Sequence, residues 1–316
     1  MKHTIFALAL LPSAALADPI SFAWTPNPQT PQVDMALANG YFAEAGLDVQ
    51  LVTFASGREA FEALLGGQVD VAFMAEFPAA TGALTGQDFA IVADLSRYTG
   101  SRIIGSTDQG ALASPADLAG KRIGTTLGTN VDYFLSTVLT NAGVEAEVIN
   151  AAPGDLVPAL VRGDVDAIVP FPTFYGGAAQ ALGDKYVELR PGGYAPHYVL
   201  AATTAMTGER AEELTAFLGA LVKADADVAA DPAAAAEAVS ASMGGAVAPA
   251  ALQAMWADVE LGTVLSSDLL DLLVSEGTWI AAKGVVKADA PTAATIAPYL
   301  DGAALSAVAP GVVTLD

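Results

Sequence analysis

Cysteine is absent from the 316-residue chain, and histidine occurs only twice. The absence of cysteine excludes disulfide bonds, thiolate zinc sites and cysteine nucleophiles. Basic residues are also scarce, because 13 lysines and arginines stand against 35 aspartates and glutamates, which gives a formal net charge of −22. This charge argues against nucleic acid and anionic membranes as partners. It does not exclude an anionic small ligand, since a cleft can be locally polar beneath an acidic surface.

Familiar catalytic motifs are missing as well. The sequence contains no Walker-type P-loop, no G-x-G-x-x-G, no H-E-x-x-H and no G-x-S-x-G, the patterns that mark phosphate, dinucleotide, zinc and serine-hydrolase sites. His3 lies close to the N-terminus, so a Ser-His-Asp triad would have to use His197. We therefore expect no catalytic residues, no metal site and no cofactor.

The first residues have the layout of an export signal. Lys2 supplies the positive charge, residues 5–11 form a short apolar run, and Ala15-Leu16-Ala17 is a small-x-small cleavage site. We predict a signal peptide over residues 1–17, cleaved after Ala17. No cysteine follows for lipid attachment, and no later stretch has the roughly 18 uninterrupted apolar residues of a membrane helix. The mature protein is expected to be soluble and exported, without a membrane anchor.

The rest of the chain alternates strand and helix signals, a pattern typical of parallel sheets with helices on both faces. The clearest unit is KRIGTTLGTNVDYFLSTVLTNAG: residues 122–127 form a predicted strand, 128–130 a turn, and 131–142 a helix that ends at Gly143. Free N–H groups at the start of such a helix bind negative or electron-rich groups. Thr129 and Asn130 either add side-chain contacts to a ligand or only cap the helix.

An internal echo indicates two similar lobes. EALLGGQVDVAFMAEFP (62–78) matches PALVRGDVDAIVPFPTF (158–174), with Asp70 and Asp166 in equivalent places before buried strands. We interpret these two aspartates as residues that fix turns. Ligands in such sheets bind outside the carboxyl ends of the strands. Five strand ends are therefore predicted to surround one cavity: 24–27, 54–57, 75–77, 128–130 and 171–175.

Four motifs resemble one known family. ALANGYFAEAGLDVQL (36–51), EALLGGQVDVAF, DLAGKRIGTTLGTNVDYFL (117–135) and ALVRGDVDAIV are similar to the periplasmic substrate-binding proteins of ABC importers. The group in question is the NMT1/THI5-like one, which includes sulfonate, taurine, nitrate and thiamine-pyrimidine binders. The resemblance implies an α/β, type II periplasmic-binding fold with two doubly wound lobes joined by two crossover strands. We place the crossovers near 102–107 and 198–203, so that lobe 1 comprises 18–104 and the helical segment 202–316, and lobe 2 comprises 105–201.

The function implied by this resemblance is capture of a small ligand by hinge closure and its delivery to an ABC importer permease, by a protein expected to be a periplasmic monomer. The opening WTPN (24–27) is most similar to the thiamine-pyrimidine binders, so a thiamine-precursor-like pyrimidine is the first ligand hypothesis. A small sulfonate, a taurine-like compound or another oxyanion is the alternative, with Arg58 and Arg102 as the basic candidates. A THI5-like enzyme or a ligand-sensing module is the alternative of another class.

The predicted ligand-binding residues all lie at strand ends or in the turns that follow them. Trp24 is expected to stack on the ligand, Glu76 to accept from a ring amino group, and the turn before the helix to hold the polar end. Each has a plainer alternative, because Trp24, Phe171 and Phe174 are also suited to packing and Glu76 to a helix N-terminus. His197 is interpreted as structural. The predicted set is Trp24, Asn27, Ser56, Glu76, Gly128, Thr129, Asn130, Phe171 and Phe174.

Overall fold

The computed structural model describes residues 18–315, and the predicted signal peptide lies outside the described residues. Within 18–315 the chain forms a seven-stranded and a five-stranded sheet, each flanked by helices. The predicted α/β fold of two lobes is confirmed. No helix in this part of the chain combines the length and the apolarity needed to cross a membrane.

The described residues contain strands of two to nine residues and helices of four to twenty. The strands are β1 (Ile20–Ala23), β2 (Val49–Val52), β3 (Val71–Ala75), β4 (Ala90–Tyr98), β5 (Ile103–Ser106), β6 (Arg122–Thr125), β7 (Glu147–Asn150), β8 (Ala167–Val169), β9 (Tyr186–Leu189), β10 (His197–Ala202), β11 (Val259–Ser266) and β12 (Val313–Thr314). The helices are α1 (Pro31–Ala38), α2 (Tyr41–Glu44), α3 (Gly57–Leu65), α4 (Phe77–Leu84), α5 (Asn130–Ala142), α6 (Leu156–Arg162), α7 (Tyr175–Leu182), α8 (Thr204–Thr207), α9 (Ala211–Ala230), α10 (Pro232–Ser242), α11 (Pro249–Trp256), α12 (Ser267–Lys283), α13 (Ala293–Ile296) and α14 (Ala303–Val308).

The two sheets repeat one topology. The first contains the order β2-β1-β3-β10-β4, extended by β11 and β12, and the second has the order β7-β6-β8-β5-β9. In each sheet the first three strands are parallel, and the fourth, β10 or β5, runs antiparallel to both of its neighbours. That antiparallel strand is always the first one formed after the chain arrives from the other sheet. The echo in the sequence therefore reflects two lobes of the same design.

Asp70 and Asp166 make equivalent contacts in the two lobes. Asp70 Oδ2 accepts from the backbone N–H of Ser21 at 2.8 Å, and Asp166 Oδ2 accepts from that of Arg122 at 2.8 Å. The backbone N–H of each aspartate donates back to the same residue, at 2.9 and 2.8 Å. The carboxylate of Asp70 thus links the turn before β3 to the start of β1, and that of Asp166 links the turn before β8 to the start of β6. Both aspartates fix turns in this way.

The chain changes sheet a few residues earlier than we placed the crossovers. It leaves the first sheet after Tyr98 and joins the second at Ile103, then leaves after Leu189 and returns at His197. The segments 102–107 and 198–203 coincide with β5 and β10 instead. Their apolar, β-branched residues marked the strand that follows each crossover, whereas the connections themselves, 99–102 and 190–196, carry no strand signal. The lobe limits at 104 and 201 fall inside these two strands.

Two other elements differ from the sequence pattern. The sequence predicts one helix over residues 32–45, but this helix breaks at Gly40, which has a left-handed φ of 69° and separates α1 from α2. It also predicts a helix over residues 249–260, but that helix ends at Trp256, and the chain then forms β11, which pairs with β4. Pairing with a buried edge outweighed the weak helical periodicity of this segment.

The long helix α9 packs on the first lobe through aromatic contacts. Phe217 meets Phe22 of β1 edge-on with ring centroids 5.2 Å apart, and stacks on Phe42 of α2 at 4.8 Å. Helix α12 also reaches the second lobe, because the Trp279 indole N–H donates to Ser136 Oγ on α5 at 2.9 Å. The C-terminal segment therefore both completes the first lobe and touches the second.

Candidate ligand-binding cleft

A pocket of about 100 Å³ lies between the lobes at the carboxyl ends of their strands. The first lobe contributes the ends of β1, β2 and β3, the start of α3 and Tyr198 of β10. The second contributes Thr129 and Asn130 at the start of α5 and residues 171–173 after β8. This volume holds several water-sized spheres, so it suits a small ligand.

One side of the pocket is aromatic. Trp24 and Phe73 meet edge-to-face with centroids 4.7 Å apart, and Phe73 lies parallel to Tyr198 at 6.0 Å. Trp24 is only 2 % exposed and also stacks on Phe22 at 5.8 Å. The ring is therefore a core side chain that also lines the pocket, and its stacking on a ligand stays a prediction. Phe54 and Phe171 add further apolar surface.

The other side is polar and built from helix beginnings. Ser56 caps α3 by accepting from the backbone N–H of Glu59 at 3.3 Å. Asn27 closes the turn before α1, where its Oδ1 accepts from the Gln29 N–H at 2.8 Å. Helices α3 and α5 thus begin at the same pocket from opposite lobes, and the positive ends of both dipoles favour a negative ligand.

The turn before α5 does not use its polar side chains as conventional caps. Thr129 Oγ1 donates to the Thr126 carbonyl at 2.6 Å, and Asp132 Oδ2 accepts from the Gly128 N–H at 3.0 Å. Asn130 is 4 % exposed and lines the pocket, and its side-chain amide has no hydrogen bond to any residue between 18 and 315. That amide is available to a ligand.

Arg58, on the first turn of α3, is the only charged side chain among the residues that line this described pocket. One guanidinium nitrogen bonds Glu62 Oε1 at 3.1 Å, whereas Nε is buried and has no partner among residues 18–315. The side chain lies against Gly128, where a β-carbon would stand 3.4 Å from Arg58 Cδ and where φ is +72°. Arg58 therefore reaches from one lobe to the turn before α5, residues 128–130, in the other lobe.

Six of the nine predicted residues line this pocket, and three do not. Glu76 is fully buried outside it, with one oxygen bonded to the Tyr194 hydroxyl and the other to the His197 N–H at 2.9 Å. Phe174 directly precedes α7 and does not line the pocket. Gly128 does not line it either, and the Arg58 side chain packs against its backbone. Of the two basic candidates, Arg102 does not line the pocket. It forms an ion pair with Glu188 at 2.7 Å.

Phe73 and Tyr198 line the pocket but were not among the predicted residues. Phe73 is the third residue of a five-residue buried strand, so its sequence context is that of a core residue. Tyr198 follows the second connection between the lobes, and only the three-dimensional pairing of β10 with β3 brings it here. An aromatic residue close to the end of a predicted strand was the available signal for Phe73.

Two lobes of one topology with a polar and aromatic pocket between them define the class of two-lobed α/β proteins of the periplasmic-binding fold. The sequence model described as NMT1/THI5 like matches residues 27–235, and the chain belongs to that family. The resemblance seen in the sequence motifs is thereby confirmed.

Individual relatives agree with this assignment. The chain is 31 % identical over 167 residues to a binding protein of Brucella abortus (strain 2308), with 51 % of each chain covered. It is 26 % identical over 169 residues to the taurine-binding periplasmic protein of Escherichia coli (strain K12), with 52 % of each covered. The chain thus spans about half the length of these relatives. The alkanesulfonate-binding protein SsuA of Xanthomonas axonopodis pv. citri, solved with bound MOPS, has the same fold, with a TM-score of 0.75, 19 % identity and coverage of 92 % of this chain and 100 % of that one.

Proposed function

We propose that this protein is a monomeric, periplasmic solute-binding protein that captures a small organic anion and presents it to the permease of an ABC importer. The two lobes close over the ligand by a hinge motion about the connections 99–102 and 190–196. The anionic group is held by Arg58, by the N-terminus of α5 and by the Asn130 amide. The apolar remainder of the ligand lies against Trp24 and Phe73.

The charge of the pocket wall carries this proposal. The chain has 35 acidic residues, yet none of them is among the described residues that line the pocket, and Arg58 is. A cation would meet this arginine and two positive helix ends, whereas an anion would pair with all three. Arg58 Nε is also a buried donor without a partner among residues 18–315, which a ligand oxygen would satisfy.

A sulfonate is the anionic group that we favour. Two of the similar proteins are named for taurine and for alkanesulfonates, and both compounds carry a sulfonate on a short chain. The pyrimidine hypothesis has weaker support. It needed Glu76 as the acceptor for a ring amino group, and Glu76 lies outside the pocket with both oxygens already bonded within the protein.

We further propose a binding role without catalysis. General acid–base chemistry needs a carboxylate, an imidazole or a similar group within hydrogen-bond reach of the substrate. The described pocket wall offers hydroxyls, two amides and a guanidinium instead, and burial raises the pKa of its one phenol, Tyr198, well above the ordinary value. His197, which a serine triad would require, bonds Asp94 Oδ2 through Nδ1 at 2.7 Å and does not line the pocket.

Calorimetric titration of the chain from Asp18 onward tests this proposal. The panel is taurine, ethanesulfonate, nitrate, an aromatic carboxylate and an aminopyrimidine. We expect binding of sulfonates, and a loss of about tenfold or more in affinity for Arg58→Gln, since a hydrogen bond to a charged group contributes about 1.5–3 kcal/mol. Arg162→Gln is the matched control, because Arg162, the last residue of α6, is an exposed arginine that pairs with Asp164.

The results separate the alternatives. Binding of the aminopyrimidine alone would overturn the anion assignment and leave the fold and the carrier role intact. Sulfonate binding that Arg58→Gln leaves unchanged, in a variant that melts like the wild type, would remove Arg58 from the site.

A further inference from the structure

Two glutamates are buried together behind the pocket. Glu76, before α4, and Glu276, on α12, both have 0 % exposure. The Tyr194 hydroxyl lies between them. It donates to Glu76 Oε1, and its oxygen is 3.3 Å from Glu276 Oε1. Glu276 Oε2 is buried with no hydrogen-bond partner among residues 18–315.

The single hydroxyl hydrogen of Tyr194 cannot satisfy both carboxylates, so the cluster requires a further proton. A phenol has one hydrogen to donate, and two carboxylates compete for it. Two buried carboxylates at such close range cannot both stay ionised, so one of them keeps a proton. The positive charge of the His197 ring offsets part of the charge of Glu76 only, and the ring is also hydrogen-bonded to Asp94. The titratable groups that face the pair are Tyr194, His197 and Tyr198. His197 in turn faces Asp94 and Arg97, and the ring of Tyr194 meets Tyr133 of α5.

Tyr194 belongs to the second connection between the lobes, residues 190–196. Its hydroxyl bonds the glutamates of the first lobe, and its ring packs on α5 of the second, edge-on to Tyr133 at 5.3 Å and stacked on Phe134 at 6.1 Å. Helix α5 begins at the pocket with Thr129 and Asn130. The side chain of Tyr194 and helix α5 therefore link the carboxyl pair to the turn before α5.

We propose that Glu76 and Glu276 share a single proton that holds Tyr194 against α5, and that loss of this proton loosens the hinge and lowers ligand affinity. The glutamates and Tyr194 are positioning residues, since none of them lines the pocket. The affinity part of this inference rests on the proposed function, whereas the hinge part does not.

The direction of the pH effect follows from burial. Burial raises the pKa of the Glu276 carboxyl well above its ordinary value, and the charge of Glu76 raises it further. Burial also raises the pKa of Glu76, although hydrogen bonds from its neighbours offset part of the rise. The shared proton is thus retained above the pH at which an ordinary glutamate loses it, and it is lost as pH rises further, when the two like charges repel each other.

Spin labels on the two lobes test the hinge directly. The chain has no cysteine, so Leu51→Cys and Val148→Cys, at exposed positions on β2 and β7, place one label on each lobe. We expect the label–label distance distribution without ligand to shift and broaden as pH rises, in step with loss of the protonated-carboxyl infrared band that is present in the wild type and missing from Glu276→Gln, because Asp34 also loses a proton in this range. Glu276→Gln keeps the shape of the side chain and supplies a permanent donor, so it should abolish both changes. Glu237→Gln, exposed on α10, is the matched control.

A second variant guards against misfolding of the first. Tyr194→Phe keeps the ring and removes the hydroxyl, so at the lowest pH of the series it should already show the broad distance distribution that the wild type shows at the highest pH. A pH response that persists in Glu276→Gln, or a Tyr194→Phe variant with the wild-type distribution, would overturn the inference. So would loss of the infrared band specific to the glutamate pair without any change in distance.

Ligand titrations separate this inference from the proposed function. With a sulfonate that binds, we expect affinity to fall about fivefold or more across the same pH range in the wild type and to stay constant in Glu276→Gln. If no sulfonate binds, the distance measurement still decides the hinge inference, and only the ligand assignment fails.

Discussion

At the scale of single residues, the most unusual group outside the cleft is Asp34 on α1. Its side chain is 3 % exposed, and neither oxygen has a hydrogen-bond partner among residues 18–315. Burial raises the pKa of Asp34 to about 7, and the nearby Ser242 hydroxyl offsets only part of this rise. A buried carboxylate without partners is costly, so this residue reduces stability whenever it is ionised.

We predict that Asp34→Asn stabilises the protein at pH 8 by more than it does at pH 4. The folded state holds the proton more tightly than the unfolded chain, whose aspartate pKa is near 3.8. Wild-type stability therefore falls as pH rises from about 4 through about 7, by a few kcal/mol in total, since each pH unit between the two pKa values contributes about 1.4 kcal/mol. Thermal melting across this range is the measurement. Asp271→Asn, exposed on α12, is the control, and equal slopes in wild type and Asp34→Asn would contradict the prediction.

At the scale of secondary-structure elements, the two lobes use one device to join the third strand to the first. Asp166 also receives two hydrogen bonds from the Arg122 guanidinium, and these hold the pKa of its carboxyl below the ordinary value. Asp70 additionally pairs with Arg210 at 3.0 Å. Each aspartate therefore stabilises one sheet only.

We predict that Asp70→Ala and Asp166→Ala each cost about 1–3 kcal/mol, because each leaves a backbone N–H at a strand start without its acceptor. Because the two sites lie in different lobes, the double variant should show the sum of both losses within about 0.5 kcal/mol. Urea unfolding measures these values. Asp164→Ala, at the exposed Arg162 pair, should change little. A strongly non-additive double variant would show that the two lobes are energetically coupled at these turns.

The sequence predicted elements whose local signals agree. Strand β6 and helix α5 lie within two residues of their predicted limits, because Gly143 ends the helix in the left-handed conformation that glycine adopts readily. It did not predict β11, whose partner β4 lies more than 160 residues away in the chain. Trp24 and Asn130 reach the pocket because strand ends converge there. Glu76 also follows a strand end, but the register of β3 against β10 turns it toward Tyr194, and no local pattern reveals that register.

At the scale of the whole molecule, the charge of the protein and the charge of its pocket are opposed. The net charge of −22 surrounds a described pocket wall whose only charged side chain is Arg58. A long-range negative field slows the approach of an anion, whereas Arg58 acts only at short range. Salt shortens the range of such fields, from about 30 Å at 0.01 M to about 8 Å at 0.15 M.

We therefore predict that ethanesulfonate associates faster as salt is added, and that taurine does not. The two ligands share a sulfonate, but the ammonium group of taurine makes it neutral overall and insensitive to the field of the whole molecule. Stopped-flow tryptophan fluorescence gives the association rate constants of both ligands, because Trp24, one of three tryptophans, lines the pocket. A severalfold rise for ethanesulfonate between about 0.01 and 0.15 M salt is expected. A fall would mean that the local field of Arg58 extends beyond the cleft and steers anions inward, against the sign of the total charge.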